Sequence, residues 1–201
     1  MNSALIAGLD LLAVLSYALV SIFTPGPNNI TSSSLGMRVG YPRTLRFIAG
    51  VVTGFFGIMV ASGLLTELLV SAYGRIALFL KVAGIGYLLW LAYTILWPVQ
   101  RTHAAKEAGA RYRDGLLLQI VNPKVILFGL TMYATLLAPL TKNWLAVVLS
   151  AALLAVLSFC STSLWALLGA SIQRFIANPK VKFAYSLTLV ALLLYAAWSL
   201  L

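Results

Sequence analysis

The stretch Thr24-Pro25-Gly26-Pro27-Asn28-Asn29 lies inside the first long apolar segment, residues 5–36, where a membrane-spanning helix would be expected. A helix cannot continue through it, because each proline removes a backbone N–H and clashes with the preceding turn. In hydrocarbon, the freed backbone groups need partners from protein or from a water-filled cavity. Transporters build substrate sites from broken helices of this kind, so the stretch predicts such a site. A simple proline kink is the alternative, although a kink needs only one proline and no flanking amides.

The composition is that of an integral membrane protein. Of 201 residues, 62% are hydrophobic and 9% are charged, and the mean hydropathy is +0.99, whereas a soluble domain carries roughly 25% charged residues. We expect one all-α transmembrane domain, residues 1–201, surrounded by the lipid bilayer. The net charge of +10 falls in short loops between apolar segments, which indicates lipid headgroups and topology rather than a nucleic-acid partner.

The chain offers little for catalysis or for metal binding. The single cysteine, Cys160, cannot form a disulfide framework or a cysteine-based metal site. The single histidine, His103, falls in a predicted loop without a partner set. An intramembrane serine protease would need a buried base, and a metal exporter would need acidic or soft ligands at mid-depth. We therefore expect no catalytic residue, no metal and no cofactor in a protein that is not an enzyme.

The apolar segments predict six transmembrane helices, over residues 5–36, 48–70, 76–97, 115–138, 144–170 and 183–201. Three of them precede Asp114 and three follow it. Because three is odd, the two halves have opposite orientations, which is the condition for an inverted repeat. We expect a 3+3 inverted repeat with half-repeats at about 1–97 and 114–201, in which helices 1 and 4 are broken.

Orientation follows from the loop charges. Alternate loops one, three and five carry three, four and three Lys or Arg residues, ten of the fourteen in the chain. The positive-inside rule then places these loops in the cytoplasm and both termini outside it.

The second break is Gln119-Ile120-Val121-Asn122-Pro123-Lys124. Asn28 is ten residues before Arg38, and Asn122 is nine after Arg113. At about 1.5 Å per residue, both asparagines lie roughly 15 Å from the cytoplasmic face, near the midplane of a ~30 Å core.

The chemistry of the two breaks suits a small zwitterion. Asn122 is a good N-cap with Pro123 as the first helical residue, and Gly26 with Pro27 can start a second half-helix. Two facing N-termini, together with Lys124, would hold an anion. The preceding half-helices would offer bare carbonyls to an ammonium group. We expect an amino acid; the alternative for Lys124 is that it snorkels or neutralises a backbone terminus.

Two stripes of small or polar residues have open roles. Gly50, Gly54 and Gly57 recur at helical spacing and predict close helix packing. A second stripe could line a polar pathway or hydrogen-bond a neighbouring helix, and it comprises Ser158, Ser161, Thr162, Trp165 and Gly169.

The two breaks together resemble the motifs of the LysE/RhtB family of amino-acid exporters, over essentially the whole chain. Residues 24–29 look like the family signature, and residues 119–124 look like its second motif. Lys81-x-x-Gly84-x-x-Tyr87-Leu88 is similar to its third-helix pattern.

The resemblance implies export of an amino acid from the bacterial cytoplasm across the inner membrane, by proton antiport and often by a homodimer. The two breaks themselves predict the substrate site, at Thr24, Pro25, Gly26, Pro27, Asn28, Asn29, Gln119, Asn122, Pro123 and Lys124. The paired asparagines look most like the cysteine/O-acetylserine branch, which exports small neutral amino acids, with threonine and homoserine as further candidates. Many members carry aspartate in place of Asn28, so this chain lacks an evident midplane carboxylate. A passive pore for small neutral solutes is the alternative function.

Overall fold

The structure is a computed structural model that describes residues 9–66, 111–175 and 178–198, with residues 68, 78, 82, 85, 86, 88–93, 95 and 96 between them. This part of the chain is helical and contains no strand. Seven of its α-helices have defined bounds: α1 (Leu11–Phe23), α2 (Pro27–Val39), α3 (Tyr41–Leu64), α4 (Tyr112–Val121), α5 (Pro123–Thr131), α6 (Trp144–Phe175) and α7 (Pro179–Trp198). Residues 88–93 are helical as well. A π-helical turn, Met132–Leu136, extends α5, and a 3₁₀ turn follows at Ala138–Leu140.

The helix ends follow from local chemistry. Asp10 caps α1 by accepting a hydrogen bond from the Ala13 amide at 3.0 Å, and Asn143 caps α6 through the Leu145 and Ala146 amides at 3.0 and 3.1 Å. Gly40 alone separates α2 from α3 at φ +80, a conformation that favours glycine. Side-chain oxygens and one glycine thus set these boundaries.

Two helices, Tyr41–Leu64 and Trp144–Gln173, are long and apolar enough to cross a membrane. The α1–α2 pair bends by 44° and the α4–α5 pair by 63°, and each pair also qualifies as one broken span. The all-α membrane fold and the breaks in helices 1 and 4 are therefore confirmed. The predicted third span, 76–97, falls largely outside the described residues, so six spans and the inverted repeat remain predictions.

Two close helix contacts hold one end of the molecule together. A Cβ at Gly36 of α2 would lie 2.0 Å from the Ala166 carbonyl oxygen of α6, and one at Gly169 would lie 1.9 Å from that of Ser33. Likewise α3 and α4 approach at Gly50 and Gly115. These contacts bring together one end of α2, α3 and α4. The basic residues in or next to these helix ends define what we call the arginine-rich end: Arg38, Arg43, Arg46, Arg111 and Arg113.

The predicted glycine stripe is correct for two of its three members. A Cβ would lie 1.9 Å from the Tyr112 carbonyl oxygen at Gly50 and 2.6 Å from Gln119 Cγ at Gly54, but it would meet nothing within 4 Å at Gly57. Helical spacing alone could not show which glycines of the stripe face a neighbouring helix.

This difference gives a matched test of packing on one helix. Gly50→Ala should destabilise the fold by about 1–3 kcal/mol, because the new methyl group forces α3 and α4 apart. Gly57→Ala should be neutral or stabilising by about 0.5–1 kcal/mol through helix propensity. Thermal unfolding in detergent compares them, and equal melting temperatures would contradict this packing.

Candidate functional site

Both breaks start a new helix as predicted. α2 begins after the extended residue Gly26, with Pro27 in its first turn and no side-chain cap. α5 begins with Pro123 after Asn122, whose side-chain oxygen accepts from the Lys124 amide at 3.2 Å. The N-terminus of α5 is therefore already capped, whereas that of α2 is not. The prediction that Asn122 caps this helix is confirmed, and the two N-termini differ because only that of α5 has a side-chain cap.

An amide cluster joins the two breaks. The Asn28 side-chain oxygen accepts from Gln119 Nε2 at 2.9 Å and from Asn122 Nδ2 at 3.0 Å. Asn28 Nδ2 donates back to Gln119 Oε1 at 3.2 Å. Gln119 and Asn122 are buried. Asn28 thus meets two predicted site residues that lie 91 and 94 positions later in the chain, and we call these three side chains the amide cluster.

Asn29 has a different task from its neighbour. Its Nδ2 donates to the carbonyl oxygens of Ile22 and Thr24, both at 2.9 Å. Its side-chain oxygen accepts from Ser161 Oγ at 3.2 Å. Asn29 therefore caps the end of the preceding helix and ties it to α6.

The carbonyls at the end of α1 are not left bare, contrary to expectation. Ser161 Oγ also donates to the Ile22 carbonyl at 2.9 Å, and Trp165 Nε1 donates to the Phe23 carbonyl at 3.2 Å. Side chains from α2 and α6 satisfy this helix end. A substrate ammonium group must therefore find other acceptors.

Lys124 lies across the two breaks. Its Nζ donates to Thr24 Oγ1 at 2.9 Å, to the Thr24 carbonyl at 3.2 Å and to the Pro25 carbonyl at 3.4 Å. The side chain passes over Gly26, where a Cβ would lie 3.1 Å from Nζ. The ammonium group thus neutralises the end of the first half-helix, and it also lies beside the uncapped start of α2.

Two cavities adjoin the breaks. A groove of about 470 Å³ passes Lys124 and both breaks, and its far wall includes Leu192 and Tyr195 of α7. A smaller cavity of about 30 Å³ lies against Asn28, and its lining includes Phe55 and Ser158. The groove has the volume of a small-molecule site, whereas the smaller cavity has room for about one water molecule.

Aromatic packing forms the wall between α1, α3 and α5. Phe128 stacks on Tyr17 with ring centroids 5.5 Å apart and contacts Phe55 at 5.9 Å. Phe128 lines both cavities. These rings were not among the sequence candidates, since an aromatic stripe at helical spacing looks the same as ordinary core.

Ser161 and Trp165 belong to the polar stripe for which the sequence left two interpretations open. Both hydrogen-bond α1, which confirms the neighbouring-helix reading for them, while Ser158 lines the smaller cavity. In the described part of the chain, no group of three or more His, Cys, Asp or Glu residues could hold a metal ion.

Comparison with known proteins gives one consistent result. Residues 19–201 match the model of the family described as LysE type translocator. A cysteine/O-acetylserine efflux protein of Klebsiella pneumoniae is 36% identical over 162 residues, which cover 81% of this chain and 83% of that protein. A protein of the same description from Escherichia coli is 31% identical over 183 residues, which cover 90% and 92% of the two chains. No solved structure matches the chain.

Proposed function

This chain belongs to the LysE family of translocators, and from that premise we propose that it exports small neutral amino acids from the cytoplasm across the bacterial inner membrane. The observation that carries the substrate class is the similarity to cysteine/O-acetylserine efflux proteins over most of both chains. Cysteine and O-acetylserine are the first candidates, and threonine and homoserine follow.

We place the substrate at the two breaks, in contact with the ten residues predicted as its site. The carboxylate lies between Lys124 Nζ and the backbone N–H groups of Asn28 and Asn29, because the start of α2 has no side-chain cap and carries partial positive charge. The ammonium group takes its acceptors from the amide cluster, since other side chains occupy the carbonyls of α1. Thr24, Pro25, Gly26, Pro27 and Pro123 shape the backbone around it.

Transport by alternating access fits the proposal better than a passive pore. Side chains of both halves interlock at the breaks, and the cavity beside Asn28 holds only about 30 Å³. We propose that half-repeats 1–97 and 114–201 move about the two breaks and that proton antiport drives the cycle.

We further propose that the arginine-rich end faces the cytoplasm and that both termini lie outside it. Ser3→Cys and Gly109→Cys, each in a Cys160→Ser background, report this in intact cells. Labelling from outside at position 109 but not at position 3 would show that the proposed orientation is wrong. A homodimer is the proposed assembly, and native mass spectrometry measures it.

Counterflow in proteoliposomes tests the function. It is measured with radiolabelled cysteine, O-acetylserine, threonine, leucine and lysine, and the amino acids are compared as competitors of one another. We expect cysteine and O-acetylserine to compete best. Competition by an inorganic cation and by none of the amino acids would refute amino-acid export. Accumulation against a gradient under an imposed pH difference separates antiport from a pore, because a pore only equilibrates its solute.

A further inference from the structure

Buried hydroxyl groups without a partner are concentrated at one place on α2. In the described part of the chain, only three buried side-chain N or O atoms lack a hydrogen-bond partner: Thr31 Oγ1, Ser32 Oγ and Asp114 Oδ2. Two of the three belong to adjacent residues of one helix, and Ser32 is 0% exposed. A buried polar group without a partner costs free energy, so such a pair needs an explanation.

The position of Ser32 along α2 is informative. It lies one turn after Asn28, whose side chain is in the amide cluster, and one turn before Leu35, on the same helix face. Leu35 packs into an apolar plug, which we define as the cluster Leu35, Phe47, Ile48, Val51, Leu118 and Ala166. The two hydroxyls therefore lie between the amide cluster and the plug, on the side of the arginine-rich end.

Neighbouring serines show that a buried hydroxyl on α2 can find a partner when its role is only structural. Ser33 Oγ is 2.5 Å from Tyr185 Oη of α7. On α6, Ser163 Oγ accepts from Tyr41 Oη at 3.2 Å. Ser32 differs from these because its buried hydroxyl has no hydrogen-bond partner.

We propose that Thr31 and Ser32 line the route by which substrate passes between the arginine-rich end and the amide cluster, and that the plug closes this route in the structure described here. The inference rests on the proposed export function and names further residues for it. When the residues of the plug move apart, both hydroxyls form hydrogen bonds with water or with the polar groups of an amino acid. Their missing partners in the closed form bring the two conformations closer in free energy.

Ser32→Ala tests the proposal through two readouts that change in opposite directions. Removing an unpartnered hydroxyl should raise the melting temperature of the closed form by about 2–4 °C. The same change should slow amino-acid counterflow about fivefold or more, because opening becomes less favourable. Thr31→Val should act in the same way.

Ser33→Ala is the matched control, because it removes a bonded hydroxyl at the adjacent position. Its melting temperature should fall and not rise. A Ser32→Ala protein that gains stability but transports at the wild-type rate would make Ser32 an ordinary core residue and overturn the inference. A wild-type protein that transports none of the tested amino acids would refute the export function instead, so the two failures are distinguishable.

Thiol accessibility decides the question even if the alanine variant does not fold. In a Cys160→Ser background, Ser32→Cys should react with a water-soluble thiol reagent applied at the arginine-rich end of sealed vesicles. Ala151→Cys is the control at a fully buried position of α6 outside the plug, and it should react at least tenfold more slowly. Equal rates at the two positions would show that no route passes Ser32.

Discussion

Lys124→Met should lower export about tenfold to a hundredfold at normal expression. The ammonium group contacts three oxygens of the opposite break and lies beside the uncapped start of α2, where we place the substrate carboxylate. A hydrogen bond to a charged group is worth roughly 1.5–3 kcal/mol net, and about 1.4 kcal/mol corresponds to tenfold. Lys124→Arg should restore export only in part, because a planar guanidinium does not replace a compact ammonium.

The form of the substrate separates the two roles of Lys124. The wild-type protein should discriminate strongly between an amino acid and its amide, which lacks the carboxylate, and Lys124→Met should lose most of this discrimination. Thr24→Val is a matched control, because it removes the 2.9 Å hydroxyl contact and leaves the charge. It should preserve the discrimination. If Lys124→Met has a lowered melting temperature but unchanged discrimination, Lys124 only connects the two breaks and does not bind the carboxylate.

The positions of the breaks could be predicted because their causes are local. Prolines at 25, 27 and 123 disfavour a continuous helix and suit a first turn, and Asn122 caps α5 through the Lys124 amide. The same reasoning found the ten candidate residues, and the structure brings Asn28, Gln119 and Asn122 into direct contact.

The partners of the site residues could not be predicted, because they depend on distant parts of the chain. Ser161 and Trp165 satisfy the end of α1 from more than 130 positions away. The side-chain oxygen of Asn28 accepts hydrogen bonds from the other break, whereas the side-chain nitrogen of Asn29 donates to carbonyls at the end of α1. The sequence gives no sign of this difference. Which face of a helix meets which neighbour is decided by packing, as the absence of any contact at Gly57 also shows.

The two neighbouring asparagines give the second large prediction. Asn28→Asp should fold and lose at most about 0.5–1.5 kcal/mol, because it gives up only the bond from Nδ2 to Gln119 Oε1, whereas Asn29→Asp gives up two donor bonds and should lose about 1–3 kcal/mol. Asn28 is mainly an acceptor, since its oxygen receives bonds from Gln119 and Asn122, and a carboxylate can also accept them. Asn29 is mainly a donor, since its amide nitrogen bonds two carbonyl oxygens.

In Asn29→Asp, a carboxylate oxygen would face these two carbonyl oxygens. The ionised carboxylate cannot donate a hydrogen bond to them, and only the protonated acid could donate one. Each hydrogen bond lost costs about 0.5–1.5 kcal/mol net, because both carbonyls keep a second donor, Ser161 Oγ for Ile22 and Lys124 Nζ for Thr24. Thermal unfolding of both purified variants in the same detergent measures the difference. Because the changes are isosteric and adjacent, side-chain volume is matched; the direction of hydrogen bonding differs, and the greater burial of Asn29 adds to the cost of a charge there. Equal stability of the two variants would mean that Asn29 does not cap α1, and the connection from α1 through Asn29 to Ser161 would have to be abandoned.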